Sequence, residues 1–137
     1  MRFMIIVRAT NDTEAGIFPE DTAELFAAMA AYHEEMAKAG VLLEGAGLQP
    51  SSKGARIRYS GGKQTVIDGP FAESKELIAG YTLIQVKSRE EAIAWAKRMP
   101  NPYGKGKDGE IEVRQLYELE DFGNPETADR FRAIGMG

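Results

Sequence analysis

The chain has 137 residues, 43% apolar and 28% charged, with a formal net charge of −4. That is one globular domain's worth of sequence, without the basic surplus that attraction to nucleic acid or an anionic membrane surface requires. It has no cysteine, which excludes disulfides, thiol catalysis and thiolate metal sites and suits the cytoplasm, and it has no run of about 18 apolar residues to cross a membrane.

Met1 to Val7 is too short for a secretory signal and lacks a cleavage region, so residues 2–8 read as a first strand. Apolar residues on both of its faces make it central. Residues 9–18, rich in Asn, Asp, Thr and Gly, read as loop. Asp21 with Glu24 matches a capping pattern for a helix to about Lys38, with Leu25, Phe26, Met29, Tyr32 and Met36 on one face and Gly40 as its stop. A second strand begins at Val41 and fades at Gly45-Ala46-Gly47, and residues 49–54 are loop. Arg56–Tyr59 and Gln64–Ile67 flank Ser60-Gly61-Gly62-Lys63, the pattern of a hairpin with a two-residue primed turn. Residues 80–87 form another strand. Ser88 with Glu91 suggests a capping box for a helix through about Met99, with Ala92, Ile93 and Ala96 inward and Pro100 and Pro102 beyond its end. A Gly/Lys-rich loop leads to a last strand at 110–118.

This order, β-α-β, hairpin, β-α-β, predicts an α+β ferredoxin-like sandwich with an inserted β-hairpin over residues 1–118, followed by a tail at 119–137. Two helices cover one sheet face. The other face requires solvent or a partner, and the apolar first strand argues for a homodimer of packed sheets. In the tail, Leu119, Phe122, Phe131 and Ile134 are candidates to dock on a partner subunit; the alternative is a frayed terminus.

Asp68-Gly69-Pro70-Phe71, followed by Ala72-Glu73, Lys75-Glu76 and Gly80-Tyr81, resembles the core of the DGPF proteins of the YCII-related superfamily. Gly40-Val41-Leu42-Leu43 before Gly47-Leu48, Glu91-Ala92 with Trp95-Ala96 and Pro100, and Ile111-Glu112-Val113-Arg114 extend the similarity over about residues 1–118. The resemblance implies a dimeric α+β barrel, a bacterial cytoplasmic setting and a genomic neighbourhood shared with extracytoplasmic-function sigma factors. Related YCII-type proteins have a proposed His/Asp acid-base pair with its histidine early in the first helix. Asp21, Thr22, Glu24 and Met29 fill that region here, so the pair does not carry over.

The candidate site residues follow from their chemistry. Asp68 is either a proton-transfer group or a turn former accepting backbone N–H groups. Pro70 fixes its own φ, and Phe71 reads as a loop anchor or an aromatic pocket wall. Lys75 would hold an anionic ligand with Glu73 as proton acceptor, unless the Glu73-Lys75-Glu76 run is simply a solvated surface. His33 is the only side chain whose unperturbed pKa lies near neutrality, and it falls at the edge of the buried helix face. A lone histidine there is more often a hydrogen-bonded core residue than a catalyst. Glu112 and Arg114 share the strand face opposite Ile111 and Val113, where the arginine fork would grip a carboxylate or phosphate or form an inter-subunit salt bridge. Gly104, Gly106 and Gly109 precede a strand rather than a helix and so form no phosphate loop.

Two functions follow. One is binding of a small polar or anionic metabolite in a cleft near the Asp68–Phe71 loop. Asp68 or His33 would move a proton there, and Arg114 or Lys75 would orient the ligand. The other is a non-catalytic dimeric interaction or regulatory module associated with sigma-factor signalling, which rests on the resemblance alone. No cofactor and no metal is expected in either.

Overall fold

The computed structural model describes residues 1–137. Strand β1 spans Arg2–Arg8. A single turn, α1, follows at Asn11–Glu14, where loop was expected. Thr10 and Thr13 make it: Thr10 Oγ1 accepts from the Thr13 amide at 3.2 Å and Thr13 Oγ1 accepts from the Thr10 amide at 2.8 Å, a reciprocal cap hidden in loop-like composition. Helix α2 runs Thr22–Lys38. Its stop is as expected, with Gly40 at φ +76° and the Gly40 and Val41 amides on the carbonyls of Ala37 and Met36, each at 3.0 Å. Its start differs, because the Asp21 carboxylate makes no cap bond and accepts the Lys105 amide at 3.3 Å instead.

Strand β2, Leu42–Gly47, continues through the glycines at which it was expected to fade. The hairpin strands are β3, Ala55–Ser60, and β4, Lys63–Asp68. They close through Gly61 and Gly62 at φ +58° and +75°, as a primed turn requires. Then come β5, Ile78–Gln85, helix α3, Arg89–Lys97, and β6, Ile111–Gln115. Ser88 Oγ caps α3 by accepting the Glu91 amide at 3.1 Å, while the Glu91 carboxylate reaches one residue further, to the Lys87 amide. The tail is folded: a 3-10 turn at Leu119–Phe122 precedes helix α4, Pro125–Ala133, which is capped by Asn124.

The main sheet has the order β2-β5-β1-β6 with every pair antiparallel. That is the ferredoxin-like arrangement, and β3-β4 forms a separate two-stranded sheet inserted into it. Phe3 and Ile5 of β1, Ile84 of β5, Tyr32 and Met36 of α2, and Ala92 and Ala96 of α3 form one buried cluster, with Val113 and Ile111 of β6 packed against it. Alanines on α3 let that helix approach the sheet closely. Full burial of Ile5, Ile84 or Met36 contributes about 1.5–3 kcal/mol each. The Tyr32 hydroxyl donates to the Trp95 carbonyl at 2.7 Å and ties α2 to α3. Burial pushes that phenol up to about 12. Phe26, expected on the buried face of α2, is 78% exposed. No helix is long and apolar enough to cross a membrane.

Candidate functional site

Pairing register builds a cleft at one corner of the sheet. Gly45 of β2 lies opposite Thr82 of β5, and Gly47 lies opposite Gly80. Thr82 and Gly80 in turn face Ile5 and Val7 of β1, on the helix side of the sheet. Three neighbouring positions on that side therefore lack side chains, and a space of about 450 Å³ opens between them, α2 and the end of α3. Val7, Met29, Leu42 and Met99 wall it, and the only polar side chains facing inward are those of His33 and Thr82. Tyr81 belongs to the other sheet face, where its hydroxyl donates to Glu44 at 2.6 Å and that carboxylate pushes the phenol up.

His33 is the centre of this cleft. Its Nδ1 lies 2.8 Å from the Met29 carbonyl, and its Nε2 lies 2.9 Å from Thr82 Oγ1. A carbonyl only accepts, so Nδ1 carries the proton in the neutral ring and Nε2 accepts from the threonine hydroxyl. The Tyr32 ring meets the imidazole edge-on at 5.4 Å and holds its plane. A Cβ at Gly45 would stand 3.5 Å from both His33 Nε2 and Thr82 Oγ1. The glycine thus leaves open the side from which a molecule would approach the imidazole. Thr82, Met29, Met99 and Gly45 were not among the site residues expected from the sequence. The signal present was the alternation Gly45, Gly47 at strand spacing, which read as a strand ending.

The other expected site residues lie elsewhere, and none of residues 68–76 lines this cleft. This cleft is therefore a different place from the one expected beside the Asp68–Phe71 loop, where Lys75 lines a separate hollow with Arg8, Tyr103 and Glu110. Asp68 ends β4 opposite Ala55, exposed and without a hydrogen bond to its own turn. The loop is held by other groups. The Gly69 amide donates to the Gly54 carbonyl at 3.0 Å and the Phe71 amide to Ser51 Oγ at 3.0 Å. The Ser51 amide and hydroxyl both donate to Glu14. The Gly69–Pro70 peptide is cis. Phe71 is half-buried beneath the Arg56 guanidinium, 3.8 Å from the ring centre. Glu73 and Lys75 are exposed, and the Lys75 carbonyl accepts from Arg8.

Arg114 is exposed on the open sheet face and bonds Glu112 at 2.9 Å, while Arg8 bonds the other oxygen of the same carboxylate at 2.9 Å. These two guanidinium groups, Arg114 first, hold the Glu112 carboxyl below its ordinary value of 4.5. A carboxylate held low favours the folded state above the ordinary carboxylate range and loses that contribution as pH falls through its folded value. Glu112→Gln should therefore remove this small contribution at neutral pH and flatten the acid limb of stability between about pH 5 and 3, so that variant and wild type converge at the acid end, read from urea unfolding across that range. No cluster of three His, Asp or Glu side chains converges to hold a metal ion.

Comparison with known proteins gives the affiliation. An uncharacterized protein of Rhizobium meliloti (strain 1021) is 35% identical over 97 residues, 71% of this chain and 77% of that protein. Among solved structures, 5-chloro-2-hydroxyhydroquinone dehydrochlorinase from Burkholderia phenoliruptrix AC1100, in complex with 2,5-dihydroxybenzoquinone, matches with a TM-score of 0.46 at 14% identity, over 86% of this chain and 95% of that one. The profile of the YCII-related domain matches residues 1–120. The chain belongs to the YCII-related domain family.

Proposed function

We propose that this chain binds a small, uncharged and largely apolar molecule in the cleft over Gly45, Gly47 and Gly80, and that His33 exchanges a proton with a polar group of that molecule. The observation that carries this reading is the imidazole, the only one in the chain, set in a glycine-cleared cleft with Nε2 on Thr82. Thr82 donates to the neutral ring, and after proton uptake it accepts from Nε2–H while Met29 still accepts from Nδ1–H. Both charge states of the ring stay hydrogen-bonded, which suits general acid-base work. No lysine or arginine lines the cleft, so an anion there would lack a counter-charge. The ligand class therefore shifts from the anionic metabolite expected from Lys75 and Arg114 to a neutral one with a hydroxyl or carbonyl group.

The setting is a cytoplasmic homodimer. The support for a second copy is the sheet face turned away from α2 and α3, where Met4 of β1 lies beside Leu83 of β5 and both stay half-exposed in the single chain.

A thermal-shift panel tests the ligand reading. Neutral alcohols and ketones should raise the melting temperature where matched carboxylates and phosphates do not. Gly45→Val should weaken that binding by more than about tenfold with the fold retained. On titration with such a compound the imidazole ¹⁵N resonances of His33 should move in the wild-type chain and stay in place in Gly45→Val. No shift from any neutral compound, or full binding by Gly45→Val, would sink the reading and leave the non-catalytic module.

A further inference from the structure

The β3-β4 hairpin stands away from the body. Neither of its strands pairs with the main sheet, and a lone two-stranded hairpin is marginal in water. Every residue of β3 and all of β4 except Ile67 is exposed. Its two faces differ in chemistry. Ile57 lies directly opposite Val66, with Tyr59 next on the same face. These three are 57%, 67% and 74% exposed, an apolar surface with nothing of its own chain on it. Arg56, Arg58 and Lys63 take the other face.

The base of the hairpin is tied to the body. Arg56 stacks on Phe71, Phe71 and Gly69 bond the 51–54 turn, and Ser51 is bound by Glu14. The Asp68–Phe71 loop is thus the shoulder of a projecting arm.

Surface area says how much remains to be covered. A compact monomer of 15.0 kDa exposes roughly 7,000 Å². This chain exposes 9864 Å², an excess of roughly 2,800 Å², where a standard interface takes about 800 Å² per partner and obligate dimers take more. Charge says what covers it. The arm carries three cations and one carboxylate in a chain whose net charge is −4, so the arm is attracted to the body of an identical chain.

We propose that the arm lies across a second copy of this chain, burying Ile57, Tyr59 and Val66 against it, with the exchange reciprocal about a two-fold axis. This deepens the dimer reading by assigning the arm to the interface in addition to the open sheet face.

Sedimentation of the full chain against Ile57→Asp/Val66→Asp tests it. Both positions are solvent-exposed in the single chain, so folding of the subunit should survive. The dimer dissociation constant should rise at least about 100-fold. Because the chain has no native cysteine, a nitroxide on Tyr59→Cys gives an independent readout: immobilised at high concentration and mobile on dilution. A wild-type chain that is monomeric at all concentrations overturns both the dimer and the arm. A wild-type dimer that the double aspartate variant leaves equally tight, or a label mobile throughout, overturns the arm alone and leaves the sheet-face contact standing.

Discussion

Gly69→Ala is expected to unseat the Asp68–Phe71 loop and cost about 3 kcal/mol of stability. The backbone of Gly69 is not left-handed, so conformational freedom is not what the position requires. Space is: a Cβ there would lie 1.8 Å from the Ser51 carbonyl oxygen and 2.6 Å from its carbon. Both are main-chain atoms, and that main chain cannot retreat easily. The Ser51 carbonyl accepts the Gly54 amide at 3.0 Å, the Ser51 amide is held by Glu14 at 3.0 Å, and the Gly69 amide is itself bound to Gly54. Relief must break at least one of these bonds, and each partner left unsatisfied adds its own cost. Urea unfolding measures the loss, and amide shifts confined to residues 51–54 and 69–71 would locate it. A variant within about 0.5 kcal/mol of wild type would mean the two segments do not approach this closely. If the arm depends on this shoulder, the same variant also weakens self-association.

Ile5→Ala should cost about 3–4 kcal/mol and lower the melting temperature by roughly 10 °C. Ile5 has no exposed surface and lies in the sheet between Thr82 of β5 and Val113 of β6. Truncation removes its transfer free energy and leaves a cavity that the paired strands cannot close. It also removes the neighbour against which Thr82 is packed, so the His33–Thr82 contact should loosen and ligand-induced stabilisation should fall with it. Phe26→Ala is the contrast. It deletes a larger side chain from a position that is 78% exposed, and it should change subunit stability by no more than about 0.5 kcal/mol. Equal losses from the two substitutions would contradict the burial described here.

Elements governed by near neighbours were legible in the chain. Apolar density on both faces placed β1, and the Gly61-Gly62 pair placed the hairpin, because only glycine accepts two successive positive φ values at low cost. Gly40 placed the end of α2 for the same reason. The order of these elements, with helices confined to one face, was enough for the ferredoxin-like sheet. The helix wheel erred at Phe26, because periodicity gives a direction on the helix while burial depends on how far the sheet extends beneath it. Composition also concealed α1, whose cap is two threonines in a polar run.

The candidate site belongs to the other category. His33 was visible as a lone imidazole, but its partner Thr82 is 49 positions away, and only strand register brings the two together. Gly45 and Gly47 read as a strand ending until β5 supplied Gly80 beside them. Asp68 stood out by its turn chemistry, yet the bonds that hold its loop come from Ser51, Gly54 and Glu14. Local backbone preference is written in adjacent residues, so the chain by itself determined its main strands and two long helices, their order and its family. Which side chains meet across the sheet, and which glycines combine into an opening, are set by long-range pairing, and only the tertiary structure decided them.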